Sequence, residues 1–311
     1  MTMRTRARTC LAAVIAPLLA LAGCVGTAPP SGTNTSSDAV VVAVSFYPFA
    51  FIATRVGGAA ATVANLTAPG AEPHDIELTP RQVASLSTAD LVVYQSGFQP
   101  AVDTAIAQAT PGRTIDTASF LTLLTGAAED GQAEGATAAH DPHTWLDPRN
   151  MVTITEHVRD ALIEVQPAGK AVFTANAAAL VADLTALDAD FRQGLASCAI
   201  KPFITSHAAF GYLAKAYGLE QVAIRGLEPD TEPTAARIAE VQQLAKANNV
   251  TTIFFETLVS PVVSQSVAKD LGLRTDVLDP IEGITADSRG SDYLEVMRSN
   301  LIALRSANQC T

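Results

Sequence analysis

The sequence predicts an α/β fold in two similar lobes, each with a parallel sheet, joined by one long rigid helix. Three observations carry this. A chain of 311 residues, 48% apolar and 16% charged, is long enough for two cores and too apolar to be disordered throughout. Apolar runs of strand length alternate with helical patterns in both halves, and such alternation returns each strand parallel to the last through a helical crossover. Between the halves runs one apolar stripe at spacings of three and four, from Phe173 through Ala177, Leu180, Leu184, Leu187 and Phe191 to Leu195.

The first lobe, 39–165, opens on AVVVAVSF (39–46), a buried strand, followed by a helical stretch ending near Gly57-Gly58. A second strand covers 61–67, a short helix 80–89 and a third strand 90–96; residues 100–109 read as helix, with a short strand near Thr114-Ile115. Residues 126–142 are small, acidic and aperiodic, so a loop is expected there. Asp147-Pro148 supplies an N-cap and a first-turn proline for a helix whose apolar stripe passes through Met151, Ile154, Val158, Leu162 and Val165. The connecting segment, 166–199, carries a helix from about Ala168 to Ser197, some ~45 Å long at 1.5 Å per residue, enough to run the height of two stacked lobes. The second lobe, 200–311, alternates strands at 201–206, 221–224, 250–256 and 275–280 with helices at 208–217, 234–248, 260–271 and 291–306.

The N-terminus is set apart. Arg4, Arg6 and Arg8 precede an apolar run from about Cys10 to Ala22, too short for a comfortable membrane span but suited to a signal peptide at 1–23. Leu21-Ala22-Gly23-Cys24 resembles the lipobox of bacterial lipoproteins, which implies cleavage before Cys24 and lipid on its thiol. Residues 24–38, rich in Gly, Ser, Thr and Pro, then serve as a flexible tether. No later segment reads as a membrane span, so an exported, anchored soluble protein is expected. With Cys10 lost and Cys24 lipidated, Cys198 and Cys310 remain as a disulfide candidate in an oxidising compartment. The formal charge of −11 argues against nucleic acid and suits a protein that handles cations.

Histidine placement carries the chemistry. His74 leaves the strand at 61–67, His143 precedes the helix begun by Asp147-Pro148, and His207 follows the strand at 201–206. Asp279 ends the last strand, in Leu278-Asp279-Pro280-Ile281-Glu282-Gly283. Parallel α/β sheets bind ligands at the carboxyl ends of their strands, and two of these residues come from each lobe, so a site in the cleft between lobes is expected. Three imidazoles and a carboxylate suit tetrahedral Zn²⁺, and protonation of the imidazoles should weaken binding below about pH 6. Glu256, ending a strand, is a candidate acceptor behind a ligand histidine or equally an N-cap or lobe-contact residue. Glu72 and His140 are possible auxiliary ligands, and the 126–142 loop is a weak electrostatic funnel or a solvated spacer. Helical His157 is read as a surface or packing residue, and Trp145 and Phe210 as walls of the cleft.

The strings Pro73-His74-Asp75, Asp141-Pro142-His143-Thr144-Trp145-Leu146-Asp147-Pro148, Thr205-Ser206-His207 and Leu278-Asp279-Pro280 resemble, in order, the zinc/manganese solute-binding proteins of bacterial ABC importers. The resemblance implies His74, His143, His207 and Asp279 as the metal ligands, a monomeric two-lobed fold with limited hinge motion, and delivery of the ion to a membrane permease. Manganese members carry a carboxylate where this chain has His207; a third imidazole favours Zn²⁺ and makes Mn²⁺ the lesser cargo. A surface adhesin or metal chaperone would share the site. An exported zinc hydrolase would need an open coordination position and a general base, and Asp279 as fourth ligand would close that position, so no enzyme is expected.

Overall fold

The computed structural model describes residues 39–126 and 140–311. The expected leader, lipidated Cys24 and tether, and most of the 126–142 loop, lie outside the described residues. In the first lobe β1 (Val40–Val44), β2 (Ala61–Asn65), β3 (Leu91–Tyr94) and β4 (Thr114–Asp116) form a parallel sheet in the order β2-β1-β3-β4. Helices α1 (Tyr47–Gly57), α2 (Pro80–Thr88) and α3 (Pro100–Ala109) provide the crossovers. Residues Val40, Val42, Ala43 and Val44 of β1 are buried, as expected for a strand between two neighbours with helices on its faces. A two-stranded antiparallel pair, β5 (Leu124–Thr125) and β6 (His140–Asp141), closes the base of the 126–142 segment. Strands this short carry no periodic signal in the sequence.

Helix α4 (Pro148–Val165) starts where Asp147 accepts a hydrogen bond from the Arg149 amide and proline occupies the first turn. The connecting helix α5 spans Lys170–Gly194 and buries Phe173, Ala177, Leu180, Leu184, Leu187 and Phe191, the stripe read from the sequence. By length and composition Pro167–Gly194 could cross a membrane, contrary to the sequence expectation. Its apolar face instead packs against α1, α4 and the C-terminal helix, the place of a core helix.

The second lobe repeats the topology. Strands β7 (Pro202–Thr205), β8 (Glu220–Ala223), β9 (Thr252–Phe255) and β10 (Arg274–Val277) pair in parallel in the order β8-β7-β9-β10. Helices α6 (Gly211–Tyr217), α7 (Ala235–Ala247), α8 (Val262–Leu271) and α9 (Tyr293–Ala307) follow them in turn. In each sheet the first strand lies between the second and third, so the chain leaves it in both directions and opens a crevice at the carboxyl ends.

One apolar core runs through both lobes, from Phe46, Phe49 and Trp145 across α5 to Phe203, Met297 and Leu304. Polar ties cross between lobes as well. The Trp145 indole donates to the Pro280 carbonyl at 2.7 Å, the Tyr293 hydroxyl donates to the Trp145 carbonyl at 2.7 Å, and Tyr212 donates to the Asp141 carbonyl at 2.9 Å. A disulfide joins Cys198 to Cys310, and the Thr311 amide donates to the Ser197 carbonyl, so the chain's end is fastened beside the exit of α5.

Candidate metal centre

Each histidine sits on a turn held from behind. His74 lies beyond β2 in a loop whose Pro73 carbonyl accepts from Gln99 Nε2, while its own amide donates to the Glu72 carboxylate at 3.0 Å. The Phe98 ring meets the His74 imidazole edge-on at 4.8 Å. His143 follows β6, where Gln95 donates to the Pro142 carbonyl and accepts from the Thr144 hydroxyl. His207 leaves β7, its carbonyl accepting from Thr205 and Gln221 side chains.

All three imidazoles present one nitrogen to a carboxylate behind them. His143 Nδ1 is 2.8 Å from Asp141 Oδ1, His207 Nδ1 is 2.7 Å from Glu256 Oε2, and His74 Nδ1 is 3.1 Å from Glu228 Oε2. At His143 and His207 the carboxylate is hydrogen-bonded to Nδ1, which selects the tautomer that carries its proton there and turns Nε2 inward as the ligating atom, whereas His74 Nδ1 meets Glu228 at ion-pair distance without an aligned hydrogen bond. Of the roles open to Glu256 in the sequence, the structure shows the contact with a histidine. Glu228 and Asp141 as histidine partners were not read from the sequence. The Glu228 contact joins residues from opposite halves of the chain and leaves no local pattern.

The fourth converging group corrects the sequence reading. Glu282, not Asp279, joins the three histidines: one ligand atom from each of His74, His143, His207 and Glu282 lies within 4.8 Å of every other, and all four side chains are buried. The Asp279 carboxylate is occupied elsewhere, accepting from the Ile281 amide of its own loop at 2.8 Å and from the Thr257 hydroxyl, beyond β9, at 3.1 Å. Asn300 clamps the Asp279 backbone from both sides, accepting from its amide and donating to its carbonyl. Ile281 then takes a left-handed φ of 58°, a conformation rare for a β-branched residue, and the turn delivers Glu282 into the cleft. Glu282 stands just beyond Asp279 in the sequence, but the strand-end rule points to the nearer carboxylate, and nothing local reveals the turn.

Four of the six separations among these atoms match those around a metal. Glu282 Oε1 lies 3.4 Å from His74 Nε2, 3.4 Å from His143 Nε2 and 3.6 Å from His207 Nε2, and the His143 and His207 Nε2 atoms are 3.2 Å apart. Four ligands about 2.0–2.1 Å from a tetrahedral Zn²⁺ stand about 3.3–3.4 Å from one another. The donor chemistry, three borderline nitrogens and one hard oxygen, fits the same ion.

Electrostatics explain how so polar a cluster is accommodated in the interior. Burial pulls His74 down, but the Glu228 and Glu282 carboxylates outweigh it and hold the imidazole at about 10. His207 behaves alike, with burial opposed by Glu256 and Glu282, and also reaches about 10. Burial would raise Glu282, yet hydrogen bonds from His143, His207 and His74 hold it well below its ordinary value. Burial raises Asp279, so its ionised form is disfavoured where that of Glu282 is favoured. Protons on His74 and His207 thus stand where a divalent cation would, and a metal must displace them.

Other expected residues fall outside this group. Glu72 Oε1 is 3.9 Å from His74 Nε2, and its carboxylate is engaged by the His74 amide. His140 is exposed on β6, and His157 stacks on Phe120 at 3.8 Å. Trp145 and Phe210 are buried beside ligand positions.

Comparison with known proteins places this geometry in context. Residues 42–307 match the model of the family described as zinc-uptake complex component A, periplasmic. The zinc-binding lipoprotein AdcA of Streptococcus pneumoniae is 37% identical over 274 residues, covering 85% of this chain and 55% of that protein. The high-affinity zinc uptake system protein ZnuA of Bacillus subtilis is 32% identical over 305 residues, covering 94% and 95%. The solved Zn(II)-bound ZnuA-like domain of the S. pneumoniae AdcA superposes with a TM-score of 0.73 at 36% identity, over 87% of this chain and 99% of that domain. The chain thus spans about half the length of the AdcA proteins it matches.

Proposed function

We propose, since the chain belongs to the family of periplasmic zinc-uptake complex component A proteins, that it is the extracytoplasmic zinc-binding component of an ABC importer. It captures Zn²⁺ between its lobes and hands it to a membrane permease. The observation that carries this reading is the set of four buried ligand atoms within 4.8 Å of one another, four of whose separations match a tetrahedral ion. Three imidazole nitrogens and the Glu282 carboxylate fill four coordination positions, so the ion is held rather than used: a hydrolytic zinc site keeps one position for water. Binding therefore proceeds without turnover. His74, His143, His207 and Glu282 are the proposed ligands. Asp279 shapes the loop that presents Glu282.

Zinc is favoured over Mn²⁺ because the third imidazole replaces a second hard oxygen. Residues 1–23 act as the export signal, Cys24 carries the lipid, and 24–38 tether a monomeric two-lobed body (39–165 and 200–311, with 166–199 between) to the outer face of the cytoplasmic membrane. The test is a titration of the chelator-stripped chain from Val25 onward with Zn²⁺ and with Mn²⁺, followed by metal analysis. One tight zinc per chain and weak manganese is expected. Absence of tight binding by either ion removes the four-ligand site.

A further inference from the structure

The three carboxylates behind the histidines differ in one respect. Asp141 and His143 belong to the same lobe, as do Glu256 and His207, and the two acidic side chains are only 6% and 2% exposed. Each is fixed further by its own histidine's backbone: the His143 amide donates to Asp141, the His207 amide to Glu256, and Ser206 also bonds Glu256. Glu228 is different on every count. It comes from the second lobe, in the segment after β8, and reaches across to His74 of the first. Its side chain is 51% exposed. It also lines, with His74, Phe98 and Asp230, a cleft of about 390 Å³ on the solvent side of His74.

An ion leaving a closed four-ligand site breaks one bond first, and the ligand whose rear support yields most easily sets the route. His143 and His207 are supported by buried, doubly bonded carboxylates. His74 is supported by a half-exposed one that water can compete for and that spans the lobes. From this contrast we infer that Glu228 is a latch: by holding His74 Nδ1 across the cleft it governs how fast zinc leaves and enters, with the exchange route running through His74 and the Glu228 cleft. Glu228 is a positioning residue and not a ligand, and the inference rests on the zinc-binding reading above.

The experiment loads the chain with one equivalent of Zn²⁺ and follows transfer to an excess of a colorimetric chelator by stopped flow. It compares wild type with Glu228→Ala, Glu228→Gln and, from the same exposed segment, Glu232→Gln. Loss of a carboxylate behind a metal-bound histidine costs about 10–100-fold, so Glu228→Ala should release zinc at least ~10-fold faster. Its metal-free circular dichroism spectrum should match wild type, which shows that the fold survives the loss of the contact. Glu228→Gln keeps the side chain's length without its charge and should release zinc at a rate between wild type and Glu228→Ala, while Glu232→Gln releases as wild type does. Wild-type release by Glu228→Ala, or equal acceleration by Glu232→Gln, overturns the latch. A wild-type chain that holds no zinc instead overturns the function on which it rests.

Discussion

Replacing Glu282 by Ala is the sharpest test of how the site is built. In the proposed site its carboxylate is one of four donors, at 3.4–3.6 Å from each of three Nε2 atoms. Four-ligand zinc sites bind with about 10–16 kcal/mol, so an average quarter share is about 2.5–4 kcal/mol. Part of that loss is returned, because Glu282 also helps hold the protons on His74 and His207 that zinc must displace. The lower end of the range therefore applies, about 100-fold in Kd at about 1.4 kcal/mol per decade. The assay is chelator competition at pH 7.5, with circular dichroism and a thermal scan to establish that the variant folds. Asp279→Asn is the companion. It keeps an oxygen for the Ile281 amide and should bind zinc within about tenfold of wild type, since losing a group that only supports a ligand costs about 10-fold at its mildest. If Glu282→Ala binds as tightly as wild type, or Asp279→Asn loses more than Glu282→Ala, then the fourth ligand is Asp279 and the turn at Ile281 does not deliver Glu282 to the ion.

Proton competition moves the pH window upward from the sequence expectation. His74 and His207 rise from 6.5 to about 10 in the metal-free site, so they stabilise the metal-free fold fully below pH 6.5 and lose that contribution as pH climbs toward 10. Zinc-induced thermal stabilisation should accordingly grow from pH 6.5 to 9, and an equal shift at both values would contradict histidine ligation. Glu282 has the opposite sign: its contribution is present above its ordinary range near 4.5 and is lost as pH falls through its depressed value, so the metal-free protein should lose cooperativity in strong acid. Glu256→Gln should weaken zinc binding about 10–100-fold through His207, measured by the same competition; unchanged affinity would strip Glu256 of its supporting role. Gly211→Ala places a Cβ 2.6 Å from Asp141 Oδ2, so the Asp141–His143 pair must shift and zinc affinity should fall, whereas retained affinity would mean the contact relaxes freely. Replacing Cys198 and Cys310 by Ser opens a loop with a sequence separation of 112 and should lower stability in denaturant titration by up to about 4–5 kcal/mol, while a change below about 1 kcal/mol would refute a structural role for the bridge.

The sequence alone determined what depends on local period and local chemistry. The buried strand at β1 and the proline-started α4 follow from runs of neighbouring residues, and so does the apolar stripe of α5, because burial of one face repeats every 3.6 residues or every two. His74 and His207 were legible for a related reason, since each follows a strand of a parallel sheet at the end where such sheets present ligands, and His143 was legible from its place just before the Asp147-Pro148 helix start. Tertiary structure decided the rest. Which carboxylate completes the set depends on a single left-handed residue, Ile281, and on Asn300 holding the Asp279 backbone from 21 positions away, so a short turn separates the expected ligand from the one delivered. Which acid stands behind each histidine depends on contacts across 49 positions for Glu256 and across the lobe boundary for Glu228. The protonation of the cluster depends on all of these together, since burial and charge act over short distances in space whatever the distance along the chain.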